Sequence, residues 1–201
     1  MRYPADQKQK TRQRILNAAA IVFRRQGLRA GSVDTIMGEA GLTAGGFYSH
    51  FASKEALFAE TLVESIRQSR VLTGLQDEDL SGAERIRSIV AKYLNSSHRR
   101  AIEQGCAMPP LLSELPRAGE SARQAFEDVL GEMVSALAPH LPGHDDGAAS
   151  DQALALIAVM VGGMTLARAV ADDALSDRIL AACRQLVESA VGPEPAAKPQ
   201  M

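Results

Sequence analysis

The chain reads as an all-α protein of about nine helices: three small ones, a hinge-like fourth, and a bundle of about five. Three observations lead there. Apolar residues recur at i, i+3, i+4 and i+7 through most of the 201 residues, and no stretch alternates with the period of a strand. Glycine and proline interrupt that pattern at helix-length intervals. Residues Ala153 to Ala171 are apolar on every side, which suits a helix that is central or shared between subunits.

The elements follow in order. Ile15, Leu16, Ala19, Val22 and Phe23 line one face of a first helix that stops at Gly27. Ser32 caps a second, from Val33 to about Ala40, and Gly41 ends it. A third begins near Thr43. Past Ser53, the residues Phe58, Leu62 and Ile66 carry a long fourth helix towards Gly74. After the loop "TGLQDEDLSG", Ile86, Ile89, Val90, Tyr93 and Leu94 form one buried stripe, and Phe126, Val129, Leu130, Met133, Val134 and Leu137 form another. Between them, Pro109 and Pro110 in "GCAMPPLLSELPR" fit only the first turn of a short helix. The segment "PHLPGHDDGAAS" reads as a loop. In the apolar segment 15 residues separate Gln152 from Arg168, short of the roughly 20 that a membrane span needs, so a buried helix is expected, with Gly162 and Gly163 admitting a close neighbour. Ile179, Leu180, Cys183, Leu186, Val187 and Ala190 define a last helix, and "GPEPAAKPQM" reads as a frayed tail.

Composition narrows the function classes. Two cysteines, Cys106 and Cys183, are too few for a disulfide framework and lack metal-binding spacing. The polar start "MRYPADQKQKTRQR" has no secretory apolar run, so a cytoplasmic location is expected. The net charge of −2 conceals an asymmetry: residues 1–54 hold nine Lys/Arg against three Asp/Glu. The remainder is acidic. Such a division suggests a basic module for a polyanion joined to a larger acidic body. There is no glycine-rich phosphate loop, nucleophile elbow or redox C-x-x-C motif, so no catalytic residue and no cofactor is assigned.

In "SVDTIMGEAGLTAGGFYSHFASKEAL", residues Ser32 to Leu57, a helix, a glycine turn and a second helix have the spacing of a helix-turn-helix. The second helix would enter the major groove N-terminus first. Ala44, Gly45 and Gly46 let its backbone approach the duplex, and its free amides attract phosphate. Tyr48, His50 and Lys54 supply hydrogen bonds or charge to phosphates, Phe47 and Phe51 point inward, and Ser32 completes the candidate DNA-binding set at the start of the preceding helix.

The residues "TRQRILNAAAIVFRRQGLRAGSVDTIMGEAGLTAGGFYSHFASKEALF", Thr11 to Phe58, resemble the N-terminal domain of the tetracycline-repressor-like (TetR) regulators over essentially its whole length, including F-Y-x-H-F-x-S-K-E-A-L. "GCAMPPLLSEL" and "GGMTLARAVADDALSDRIL" are similar to segments of one large subset of that family. The resemblance implies a helical homodimer whose first three helices bind a palindromic operator in double-stranded DNA, with a divergent C-terminal domain that binds a small-molecule effector and forms the dimer. The expected divisions are 1–54 for the basic DNA-binding domain, 55–191 for the effector-binding and dimerisation domain, and 192–201 for a disordered tail. Repression, as opposed to activation, is implied by the resemblance alone. Family recognition helices often carry a larger polar or basic residue before the aromatic pair, where this chain has "TAGGFY". Thr43 and the Ala44 methyl are then the base readers, and specificity leans on DNA shape and on a basic arm with Arg2, Lys8 and Lys10.

The fourth helix, Ser53 to about Gly74, is the expected lever between effector and DNA. Candidate effector-pocket residues are Met108, Met133, Met160 and Met164 with Tyr93, His98, Cys106 and Glu114, a set that would suit a mostly apolar molecule and that ordinary core packing also explains. Cys106, after Gly105 at the start of a short helix, opens an alternative, a thiol-based sensor of oxidants or electrophiles. Cys106 with His98 is the one imaginable nucleophile and base of an enzyme. His140, His144, Asp145 and Asp146 lie in a loop without a helical ligand pair, so no metal site is assigned. Arg168 is expected to pair with Asp172 or Asp173.

Overall fold

A computed structural model of the chain describes residues 5–75, 80–142 and 146–192, and among them every regular element is helical. The order is α1 (Ala5–Ala30), α2 (Val33–Glu39), a 3-10 helix (Ala44–Ser49), α3 (Lys54–Arg67), α4 (Arg70–Gly74), α5 (Gly82–Tyr93) and α6 (Ser96–Arg100). It continues with α7 (Met108–Leu111), a 3-10 helix (Leu112–Arg117), α8 (Glu120–Leu137), a 3-10 turn (Ala138–His140), α9 (Asp146–Ala169) and α10 (Asp173–Val191).

The chain forms two compact units, one from Met1–Ser69 with Ala101–Leu130 and the other from Arg70–Arg100 with Gly131–Met201. These are not cut at residue 54, because α3 belongs with the helices before it: Phe58 meets Phe23 of α1 edge to face, 5.3 Å between ring centres. In the first unit Ile15, Leu16, Val22, Phe23, Ile36, Met37, Leu57 and Leu62 are buried, and α7 packs on both α1 and α3 through Met108 and Leu111. In the second, α10 lies on α9 and α5. There Gly163 faces inward, where an ideal Cβ would come 2.6 Å from Cys183 Sγ, so the close approach expected of the glycine pair is made by one of its members.

Several elements depart from the sequence reading. The helix expected from Ser53 to Gly74 is two, since α3 ends at Gln68, whose backbone (φ −84°, ψ 3°) leaves the helical range; Ser69, a residue whose side chain competes for backbone groups, follows it. A single rigid lever over that span is therefore absent. The third helix is a six-residue 3-10 segment, as expected where two adjacent glycines weaken helix propensity. Part of "PHLPGHDDGAAS" is helical because the alanines after Asp146 extend α9 towards its N-terminus. Lys8 and Lys10 sit on α1 and not on a loose arm, and Arg2 and the expected tail beyond Gly192 lie outside the described residues. A capping box at Ser81 and Glu84 starts α5.

The helix that reads as apolar all round has one open side. Leu154, Ala155, Ala158, Gly162, Thr165, Leu166 and Ala169 form an exposed stripe along α9. On α10, Leu175, Ala182, Leu186 and Ala190 are exposed at matching helical intervals. Leu166 and Leu186 are 60% and 59% exposed. By length and composition α9 would also pass for a membrane span.

Candidate nucleic-acid interface

The first unit presents the helix-turn-helix. Ser32 caps α2, its hydroxyl accepting from the Thr35 amide at 3.0 Å. At the other end Gly41 adopts φ +65°, and the Leu42 amide donates to Met37 O at 2.8 Å, the closing bond of a Schellman turn. Arg14 of α1 donates from Nη2 to the terminal Ala40 carbonyl at 2.7 Å, which places a cation on the negative end of α2. The turn is thus closed from within and braced from α1.

Beyond it the 3-10 segment separates an anchored face from an open one. Phe47 is fully buried, stacked on Phe51 at 5.8 Å and edge-on to Tyr48 at 5.1 Å. Thr43, Gly45 and Ser49 are exposed, as is Tyr48 at 73%. A Cβ on Gly45 would meet nothing within 4 Å, so packing does not demand glycine there. Ser53 caps α3 by accepting from the Ala56 amide at 3.0 Å. Lys54 Nζ lies 3.4 Å from the Arg29 carbonyl, and its cation therefore stands at the turn between α1 and α2.

His50 ends the segment with a buried Nδ1 that has no hydrogen-bond partner. Burial, then the charges of Lys8 and Arg12, hold its ring below the usual histidine range. Not every basic residue of the first 54 faces outward. Arg12 donates to both carboxylate oxygens of Glu60 on α3, with its guanidinium 4.5 Å from the Phe51 ring centre, and that carboxylate holds it more firmly charged. Arg25 binds Glu103 at 2.5 and 2.9 Å and approaches Glu39 at 3.8 Å. Arg12, Arg14 and Arg25 are structural cations that a charge count cannot tell from DNA contacts. The surface available to a polyanion carries Lys8, Arg29 and Lys54 with the hydroxyls of Thr43, Ser49 and Tyr48.

The expected pocket residues fall in both units. Tyr93, His98, Met133, Met160 and Met164 belong to the second unit and are buried; Cys106 and Met108 are buried in the first. His98 Nδ1 stands 2.7 Å from the Tyr93 carbonyl, so Nδ1 carries the proton and donates, and the two rings meet edge to face at 4.5 Å. Glu114, on the 3-10 helix Leu112–Arg117 of the first unit, reaches the end of α1 just past the break at Gly27, where its Oε2 accepts from the Leu28 amide at 2.7 Å. An open groove of about 480 Å³ in the second unit is lined by Ala91, Asn95, Ser96, Asp177, Leu180 and Arg184, none of them in the expected set. Arg168 donates to the carbonyls of Arg99 (3.1 Å) and His98 (2.9 Å), closing the end of α6. Asp173 accepts from Arg99 and Asp172 caps α10. Burial raises the Cys183 thiol above its ordinary range. Among the described residues no three His, Cys, Asp or Glu side chains converge as a metal site would require; His144 and Asp145 lie outside them.

Residues 15–61 match the family model described as bacterial regulatory proteins, tetR family. The chain is 40% identical over 78 residues to the HTH-type transcriptional regulator YdgC of Bacillus subtilis, covering 35% of this chain and 40% of that one. It is 34% identical over 135 residues to the HTH-type transcriptional repressor KstR2 of Rhodococcus jostii, covering 66% and 57%. The chain thus spans less than two thirds of these relatives. Two solved structures share the fold: E. coli NemR in its reduced form, with TM-score 0.77, 21% identity and coverage of 94% of this chain and 100% of that one, and a TetR-family regulator of Cytophaga hutchinsonii, with TM-score 0.75, 19% identity and coverage of 94% and 98%.

Proposed function

The chain belongs to the tetR family of bacterial regulatory proteins, and from that premise we propose that it is a transcriptional repressor that binds a palindromic operator as a homodimer and releases it when a small molecule binds. Residues 1–54 meet the DNA, and 55–191 supply the dimer contact and the effector site. The observation that carries this reading is the divided face of Ala44–Ser49: Phe47 is locked in the core while Thr43, Gly45 and Tyr48 stand free behind the Gly41 turn. A backbone presented in this way fits a major groove, with Thr43 and Ala44 reading bases and Tyr48, His50 and Lys54 on phosphates. Its relatives are regulators and not enzymes.

The open stripes of α9 and α10 support dimerisation. Two apolar helix faces side by side are what a second copy would cover by twofold symmetry. Such a dimer sets the two recognition segments about 34 to 36 Å apart, one turn of DNA, and an effector that prefers another spacing releases the operator. The test is a gel shift and footprint on the DNA flanking the protein's own gene. A protected palindrome, lost on raising salt, is expected. Binding indifferent to both salt and base order, or a strictly monomeric protein, would sink the proposal.

A further inference from the structure

We infer that Glu114 is a positioning residue for DNA binding: its carboxylate, seated at the Gly27 break near the end of α1, sets the angle at which the helix-turn-helix is carried. The inference rests on the DNA-binding reading above.

The break creates the need for such a group. At Gly27 the backbone leaves the helix (φ 76°, ψ 175°). The amides that follow no longer point along a helix ladder, and Leu28 is buried, so its amide needs an acceptor. Glu114 Oε2 supplies it, accepting from Leu28 N at 2.7 Å and from Arg29 N at 3.3 Å. A carboxylate bound to backbone amides is a charge-assisted contact, stronger than a neutral pair. Glycine at 27 is required by its positive φ, and a Cβ there would push the Glu114 carboxylate from its place.

The acid is itself held. Met108, Leu111 and Leu115, on the short helices that carry it, are buried in the same unit, and α7 rests on α1 and α3. The same stretch ties to α1 a second time through Glu103, bound to Arg25, which also reaches Glu39 at the last residue of α2. Lys54 approaches the Arg29 carbonyl from the start of α3. Segment 101–117 therefore holds the backbone after Gly27 directly and reaches the far end of α2 only through Arg25. A displacement of that segment has a direct route to Ser32, three residues past Arg29, and from there to the recognition residues.

The experiment uses the full-length protein and two duplexes of equal length, one selected from a randomised library by the wild-type chain and one of shuffled sequence. Glu114→Ala should lower affinity for the selected duplex about tenfold, as an orphaned buried amide would. It should leave the shuffled duplex within about twofold, because phosphate contacts remain. Glu114→Gln, whose amide oxygen still accepts, should recover to within about threefold of wild type. Equal binding of the selected duplex by a folded Glu114→Ala overturns the positioning role alone. A wild-type chain that selects no duplex overturns the DNA-binding reading, and the inference falls with it. Should Glu114→Ala lose its helical circular dichroism, Glu114→Gln decides: faster hydrogen exchange at Leu28 and Arg29 with an unchanged ratio of selected to shuffled affinity counts against positioning, and a ratio that falls as exchange quickens supports it.

Discussion

Arg12 of α1 holds Glu60 of α3 through both carboxylate oxygens while its guanidinium lies over the ring of Phe51. One side chain thereby joins the first helix, the end of the recognition segment and the helix after it. Both partners are more than a third exposed, so solvent screening reduces the ion pair, and much of the contribution comes from the stem and the ring contact. Arg12→Ala should cost about 1 kcal/mol, the sum of a modest pair and a cation-π contact. In a thermal melt that is a fall of about 2 to 4 °C for a chain of this length. Glu60→Gln, which keeps an acceptor, should lose less. A melt unchanged by Arg12→Ala refutes the bracing role.

Gly45 and Gly27 should answer substitution by alanine in opposite ways. A methyl group at Gly45 meets open space, so Gly45→Ala should leave stability unchanged or raise it by up to about 1 kcal/mol, while hindering approach to a duplex and weakening operator binding. Gly27→Ala meets both a positive φ and the Glu114 carboxylate, and should destabilise the fold by about 1 to 3 kcal/mol. Denaturant midpoints and DNA titrations on the two variants separate the cases. Loss of stability in Gly45→Ala would count against a free recognition face.

Operator affinity should depend on His50 through pH. In the free protein, burial and then Lys8 and Arg12 hold the ring below its ordinary value of 6.5, so it is neutral near pH 7. A phosphate beside it favours the charged form, so the bound-state value lies above the free one and binding takes up a proton. Affinity should therefore climb as pH falls through the bound-state value and level off below the free one. Titrations at fixed ionic strength between about pH 8 and 5.5 would show the slope, and His50→Gln should flatten it. If the slope survives that replacement, His50 is not on phosphate.

Charges placed on the open stripes should separate the subunits. Leu166→Glu or Leu186→Glu adds a carboxylate to a face that is solvent-exposed in the single chain, so the folded monomer should keep its helicity. Burial of that charge in a dimer would cost several kcal/mol per ion, and sedimentation should report a monomer with much weakened operator binding. A dimer that persists in both variants places the interface elsewhere.

Local signals were legible and distant ones were not. The periodic residues Ile15, Leu16, Val22 and Phe23 are all buried, and Ser32 caps as its position suggests, because helix faces and caps depend on neighbours within four residues. The recognition face was readable for the same reason, Phe47 inward and Tyr48 outward. Glu114 was not, since the amides it serves lie 86 residues away and nothing in "LLSELPR" points to them. Its polarity beside Met108 suits a pocket equally well until the fold is known. Gly27 holds half of that signal, because a break in a helix starts a new turn whose first amides need an acceptor, but sequence cannot say which residue supplies it. Arg12 and Arg14 are likewise indistinguishable from DNA-facing cations until Glu60 and Ala40 are seen beside them.

The first unit is assembled from two stretches of chain that are not consecutive, and Met108, Leu111 and Leu115 of the later stretch are part of its interior. The reading head is consequently no cassette. A swap of operator preference made by a single crossover after Ser69 would import a head shaped for another protein's wedge, and the mismatch would surface as a cavity or a clash beneath α1 and α3. Transplants should succeed when residues 101–130 travel with the head, two cuts further along the gene.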